Sequence, residues 1–196
     1  MMNVVKTVPW TAGRWTNAPL SVTEDGDDLL VEVVEGSDAW RTTAYGFVHD
    51  TEHALLAPFE AGTAIEVTFT AAFSEQFDQA GVFVRATDEV WIKAGLEYAD
   101  GVLGAGAVVS NGSSDWSVGA VPEWLGKRVT IRVSRLNDAI VVRARANDEP
   151  FRLLRVAPFP VDAGLAAGPL ACAPTRSGLI VRFHSWRTAP QDTELH

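Results

Sequence analysis

Cysteine, basic charge and helical periodicity are all scarce in this chain. Cys172 is the one cysteine in 196 residues. An internal disulfide and any multi-cysteine metal site are therefore excluded. Lysine and arginine number 16 against 25 aspartates and glutamates, for a formal net charge of −9. No basic stripe exists to neutralise phosphates, which argues against nucleic acid and against an anionic membrane surface. No window approaches the ~18 apolar residues of a membrane helix. The opening "MMNVVKTVPWTAGRW" carries one lysine and no apolar run of signal-peptide length. A cytoplasmic location is the expectation.

Apolar and aromatic residues are plentiful. Hydrophobic residues make up 47% and charged residues 21%, so a packed core is expected rather than disorder. One domain over 1–196, with its core at about 8–188, suits this length. Seven tryptophans are spread along the chain. Indoles anchor cores, and they also make flat apolar platforms for sugar rings.

Short stretches rich in Val, Ile, Thr, Phe and Trp alternate with Gly, Asn and Asp. Strands are expected within 27–38, 39–50, 63–73, 78–88, 90–101, 104–117, 163–174 and 177–188. Ala99-Asp100-Gly101 reads as a hairpin corner. The segment 128–151 reads as a hairpin turning at Asn137-Asp138, with outward arginines on both strands. Strands at roughly 10-residue spacing imply an all-β sandwich or barrel. The tail 189–196, which ends in His196, is expected to be mobile.

"WIKAGLEYADG" (91–101) is the most informative stretch. Alternation places Ile92, Ala94, Leu96 and Tyr98 on an apolar face and Trp91, Lys93, Gly95 and Glu97 on the other. Lys93 and Glu97 would stand ~13 Å apart along the strand, so each needs a partner from a neighbouring strand. The neighbours expected are 78–86, offering Gln79, Gly81 and Phe83, and 104–111, followed by Asn111, Asp115 and Trp116. Polar groups between indoles suit a sugar site. The plainer alternative is a cross-strand salt bridge on a wet sheet surface.

Five blocks occur in order: "DAWRTTAYGF" (38–47), "QFDQAGVFVR" (76–85), "WIKAGLEYADG" (91–101), "VVSNGSSDWS" (108–117) and "GPLACAP…SGLIVRFHSW" (168–186). Together they resemble the regulation of enolase protein-like family, over about residues 8–188, within the concanavalin A-like lectin/glucanase superfamily. That resemblance implies an all-β jelly-roll sandwich of two antiparallel sheets with a concave face, where superfamily ligands usually sit. It implies a fold with more authority than a function.

Three functional classes follow. The first is a lectin-like protein binding a carbohydrate or similar small polar metabolite, without a cofactor. Trp91 or Trp116 would stack, and Gln79, Lys93, Glu97, Asn111 and Asp115 would hydrogen-bond. Trp40 is a further platform, unless it is a core anchor. The second class is a sugar-acting enzyme with Glu97 as acid or base and Asp115 as its partner. Glycoside hydrolysis needs two carboxyls at set separations. The superfamily's glucanases carry an E-x-D-x-E-like strand, whereas W-x-K-x-G-x-E holds a single carboxylate, which disfavours that chemistry. The third class is a protein-interaction module with no small ligand.

No transition-metal site is expected; calcium stays open, because some members of the resembled superfamily bind it. His49 and His53 in "HDTEH" are expected as exposed loop residues between strands, without the H-E-x-x-H order. "TEDGDD" (23–28) reads as an acidic turn rather than a calcium loop. Cys172 reads as a buried, inert thiol; a reactive role would need a partner such as His184.

Overall fold

The computed structural model describes residues 4–160 and 164–195. Its strands are β1 (Lys6–Thr7), β2 (Arg14–Trp15), β3 (Ser21–Asp25), β4 (Asp28–Glu32), β5 (Ala39–Arg41) and β6 (Val48–Asp50). They continue with β7 (His53–Pro58), β8 (Thr63–Thr70), β9 (Asp78–Arg85), β10 (Val90–Ala99), β11 (Val102–Asn111) and β12 (Ser114–Ala120). The rest are β13 (Arg128–Arg135), β14 (Ala139–Ala146), β15 (Arg152–Pro158), β16 (Ala166–Cys172) and β17 (Ile180–Pro190). Helix is confined, among the described residues, to two three-residue 3-10 turns. None is long and apolar enough to cross a membrane.

Two large antiparallel sheets stack face to face, the sandwich expected from the pattern. One runs β15-β14-β13-β8-β17-β4-β3, with β1 also on β17; the other runs β12-β11-β10-β9-β16-β7-β2. Alternation explains the packing. Ile65, Val67 and Phe69 of β8 and Val129, Ile131 and Val133 of β13 point inward from the first sheet. Val82 and Val84 of β9 and Ile92, Ala94 and Leu96 of β10 meet them from the second. Each Val, Ile, Leu and Phe among them contributes about 1.5–3 kcal/mol when fully buried. The core therefore lies between the sheets, and the second parity of β9–β11 is left on the outer face.

The Asp100-Gly101 hairpin pairs Ala99 with Val102. Both turn residues have positive φ (53° and 78°), as a two-residue turn of the I′ type demands. The 128–151 hairpin pairs β13 with β14 as expected.

Four local expectations need correction. Segment 39–50 is not one strand: β5 and β6 pair as a separate two-stranded hairpin. Thr42, Ala44 and Gly46 between them all have positive φ, which extended backbone cannot accommodate. Segment 104–117 breaks at Gly112 (φ 79°), so it spans two strands. The tail is tied down up to Leu195: Asp192 accepts from Arg132 and Arg143, and Arg143 also donates to the carbonyls of Glu194 and Leu195. His53 is buried: Val34 N–H donates to its Nε2 and its Nδ1 lies 3.0 Å from the Asn17 carbonyl. His196 and Ala163, where one strand was expected to begin, lie outside the described residues.

Candidate functional site

The outer face of the seven-stranded sheet is a lattice whose rows follow from register. One row reads Cys172, Gln79, Glu97, Gly104 across β16, β9, β10 and β11. The next reads Leu170, Gly81, Gly95, Gly106, Val118. The third reads Gly168, Phe83, Lys93, Val108, Trp116. Gln79 and Glu97 are thus direct cross-strand neighbours, and Lys93 stands beyond a seam of glycines.

That seam is a steric requirement. A Cβ on Gly95 would lie 2.2 Å from the Ala80 carbonyl oxygen, and one on Gly81 would lie 2.0 Å from that of Ala94. Neighbouring backbones approach too closely there for any side chain. The seam also leaves the floor bare between Glu97 and Lys93.

The β5–β6 hairpin covers part of this floor as a flap. Ala39 belongs to a small apolar cluster outside the main core, with Ala54, Phe83, Trp91, Val108, Leu170 and Cys172. Arg41 N–H donates to Ser114 Oγ at 2.9 Å, and the Arg41 guanidinium pairs with Glu89 at 2.9 Å. Asp38, just before the flap, accepts from Lys93 Nζ at 2.7 Å. Trp40 Nε1–H donates to the Thr43 carbonyl at 3.0 Å, fixing the ring against its own turn.

A cavity of about 310 Å³ lies between flap and sheet. Its floor is Gln79, Lys93, Glu97 and Val108, with Asp38 behind Lys93. Its walls are Trp40, Tyr45 and Phe47 from the flap, Trp116 from β12, and Phe77 from the turn before β9. Trp40 meets Trp116 edge-on at 6.5 Å and Tyr45 at 5.8 Å; Tyr45 stacks on Phe47 at 5.2 Å. A crevice of about 30 Å³ continues the site over Gly95 and Gly106.

The electrostatics are uneven. Burial works against the Lys93 charge, but Asp38, with Cys172 and Glu97 behind it, outweighs burial and holds its pKa above the ordinary lysine value. Glu97 is pushed up by burial, and the attraction of Lys93 only partly opposes this. Neither the Glu97 carboxylate nor the Gln79 side-chain amide has a hydrogen-bond or ion-pair partner among the described residues, although Gln79 is only 4% exposed. Glu97 is half-buried. These two face the cavity and have donors and acceptors to spare.

Gln79, Lys93, Glu97, Trp40 and Trp116 come together around this cavity. Trp91 does not: it is 4% exposed and lies against Phe83, 5.3 Å between centroids, as part of the apolar cluster. Asn111 pairs with Val90 and Asp115 with Val109, so both fall on the parity opposite to Lys93 and off the lattice. Asp115 pairs instead with Arg155 of the other sheet at 2.9 Å. It cannot act as the partner of Glu97. Cys172 is fully buried and its thiol is pushed well up by burial, with Lys93 opposing. His184 belongs to the other sheet, bonded to Asp28 and Thr70, and does not serve Cys172. No group of three or more His, Cys, Asp or Glu side chains is placed to hold a metal ion among the described residues.

Asp38, Tyr45, Phe47 and Phe77 were not singled out from sequence. Asp38 carried a signal: a lysine on a half-buried strand needs a carboxylate, and Asp38 heads the block that also contains Trp40.

The family described as a protein of unknown function (DUF1349) matches residues 15–191. "Regulation of enolase protein 1" of Saccharomyces cerevisiae is 35% identical over 192 residues, covering 97% of this chain and 96% of that protein. A crystal structure of a functionally unknown protein from Saccharomyces cerevisiae superposes with a TM-score of 0.88 at 33% identity, over 94% of this chain and 100% of that one. The xylan beta-1,4-xylosidase of Bacillus halodurans C-125 contains a similar fold, with a TM-score of 0.65 at 10% identity. That match covers 83% of this chain but 32% of the xylosidase, so the chain spans about a third of that enzyme.

Proposed function

We infer, from the premise that this chain belongs to the DUF1349 family, that it binds a carbohydrate or similar small polyol in the cavity between the flap and the seven-stranded sheet. The observation that supports this most is the cross-strand pair of buried Gln79 and half-buried Glu97, under aromatic walls and without partners among the described residues. Sugars present apolar C–H faces and closely spaced hydroxyls. Trp40 and Trp116 suit the former; Gln79, Glu97 and the two spare protons on Lys93 Nζ suit the latter. The volume, about 310 Å³, stands at the lower end of the roughly 300–1,000 Å³ of small-molecule pockets. One or two sugar units fit that scale better than a long chain.

The fold's recurrence within a xylosidase concerns architecture alone, and the reading rests on the cavity. A single unpaired carboxylate suits binding better than hydrolysis, which needs a second acid. One observation favours a protein partner as a second reading: the flap tip exposes Tyr45 (65%) with Phe47 and Val48 beside it.

Intrinsic tryptophan fluorescence, titrated with a panel of mono- and disaccharides, tests the first reading. A saturable response that disappears in Glu97→Ala and Trp116→Ala supports it. A panel without any response removes it and leaves the flap tip as the surface to pursue.

A further inference from the structure

Charge inside the cavity does not balance. Asp38 and Lys93 neutralise one another at 2.7 Å. Glu97 is left as a carboxylate with no cation in salt-bridge range among the described residues. Asp100, at the hairpin end of the same strand, adds a second negative influence rather than relief. The walls are aromatic, and ring faces carry negative quadrupole potential that attracts cations. Trp40 meets both Tyr45 and Trp116 edge to face around the cavity they line.

Resting on the sugar-binding reading, we propose that the preferred ligand is a cationic aminosugar, its ammonium held by Glu97 and its ring against Trp40 and Trp116. An ammonium supplies the missing counter-charge and donates to both the Glu97 carboxylate and the Gln79 carbonyl oxygen. A neutral sugar would shield the half-buried Glu97 carboxylate further from water without supplying a counter-ion, which is the costly arrangement. A phosphorylated or acidic sugar fares worse. Lys93, the one cation lining the cavity among the described residues, is already committed to Asp38, and the chain as a whole is at −9.

The test compares glucosamine, N-acetylglucosamine, glucose and glucose 6-phosphate by calorimetry on the full chain at pH 6.5, where the amine is protonated. Glucosamine is expected to bind at least about tenfold tighter than the other three, the usual worth of a charge-assisted bond. Glu97→Gln should level glucosamine with glucose, whereas Glu97→Asp, which keeps the charge, should retain a preference. Circular dichroism of both variants confirms that they fold. Equal binding of glucosamine and glucose by the wild type would overturn the charge inference and leave the sugar reading standing. Tightest binding of glucose 6-phosphate would overturn it by making Lys93 the governing group. No binding of any of the four removes the sugar reading with it.

Discussion

Lys93 Nζ donates to Asp38 Oδ1 across 55 positions of sequence, at 2.7 Å, with both side chains largely buried. This contact ties the flap to the floor of the cavity. Through it, the piece of chain carrying Trp40, Tyr45 and Phe47 is held over Gln79 and Glu97.

Removing one partner should therefore be costly. Asp38→Ala leaves Lys93 charged, buried and unpaired, and is expected to lower stability by about 3 kcal/mol. Urea unfolding followed by tryptophan emission measures it. Since the folded pKa of Lys93 is raised, its contribution is complete below the ordinary lysine range and fades only as pH climbs through the folded value. A loss under about 0.5 kcal/mol, typical of bland surface changes, would mean that the pair does not anchor the flap.

Glu97 should be a functional group held at a cost to stability. Burial raises its pKa, so the carboxylate is less favoured in the folded chain than in the unfolded one. Stability linked to it is present below the ordinary carboxylate pKa and is lost as pH rises through the folded value. Glu97→Gln is expected to melt higher than wild type at pH 7, the gain closing as pH falls toward 4. Thermal melts across that range decide the matter; a variant less stable at pH 7 would show that Glu97 has partners.

Asp78 is the opposite case. It is fully buried, and burial alone would raise its pKa, but two hydrogen bonds from Arg176 (2.9 and 2.7 Å) and two from the backbone N–H groups of Ser74 and Glu75 hold it below the ordinary value. The depressed group contributes stability above its unfolded pKa and loses it as pH drops through the folded one. Asp78→Asn is expected to cost about 3 kcal/mol at neutral pH and little once the wild-type carboxyl is protonated. Because Asp78 sits between Phe77 and Gln79, the variant should also weaken ligand binding. Unaltered binding would show that this turn does not position the site.

Gly95→Ala puts a methyl 2.2 Å from a backbone oxygen. Backbone, unlike a flexible side chain, has little room to yield, and a loss of about 3 kcal/mol or more is expected. Gly26→Ala is the comparison: positive φ but open space around it, and a cost of about 1 kcal/mol. Equal losses in the two would mean that the glycine seam is not a close approach.

Several of these relationships were open to inspection in the sequence. Period-two alternation separates Lys93 and Glu97 from Ile92, Ala94 and Leu96 without any structure. The Asp100-Gly101 corner, a two-residue turn, sets the register that puts Val108 beside Lys93. By the same parity Asn111 and Asp115 had to point away, and neighbours such as Asp115 and Trp116 cannot share a face. Trp91 fell on the right face; it is buried because Phe83 lies beside it and the flap above it.

What the sequence determined by itself was therefore local: strands, faces, hairpin turns and the sandwich they imply, all consequences of side-chain alternation and backbone sterics between near neighbours. The tertiary structure alone decided which segment closes over the sheet. That choice places Asp38 on Lys93, leaves Glu97 and Gln79 without partners among the described residues, and turns a charged strand surface into a walled cavity. It is a question of packing between segments distant in the chain, and no period or turn signal within any one of them encodes it.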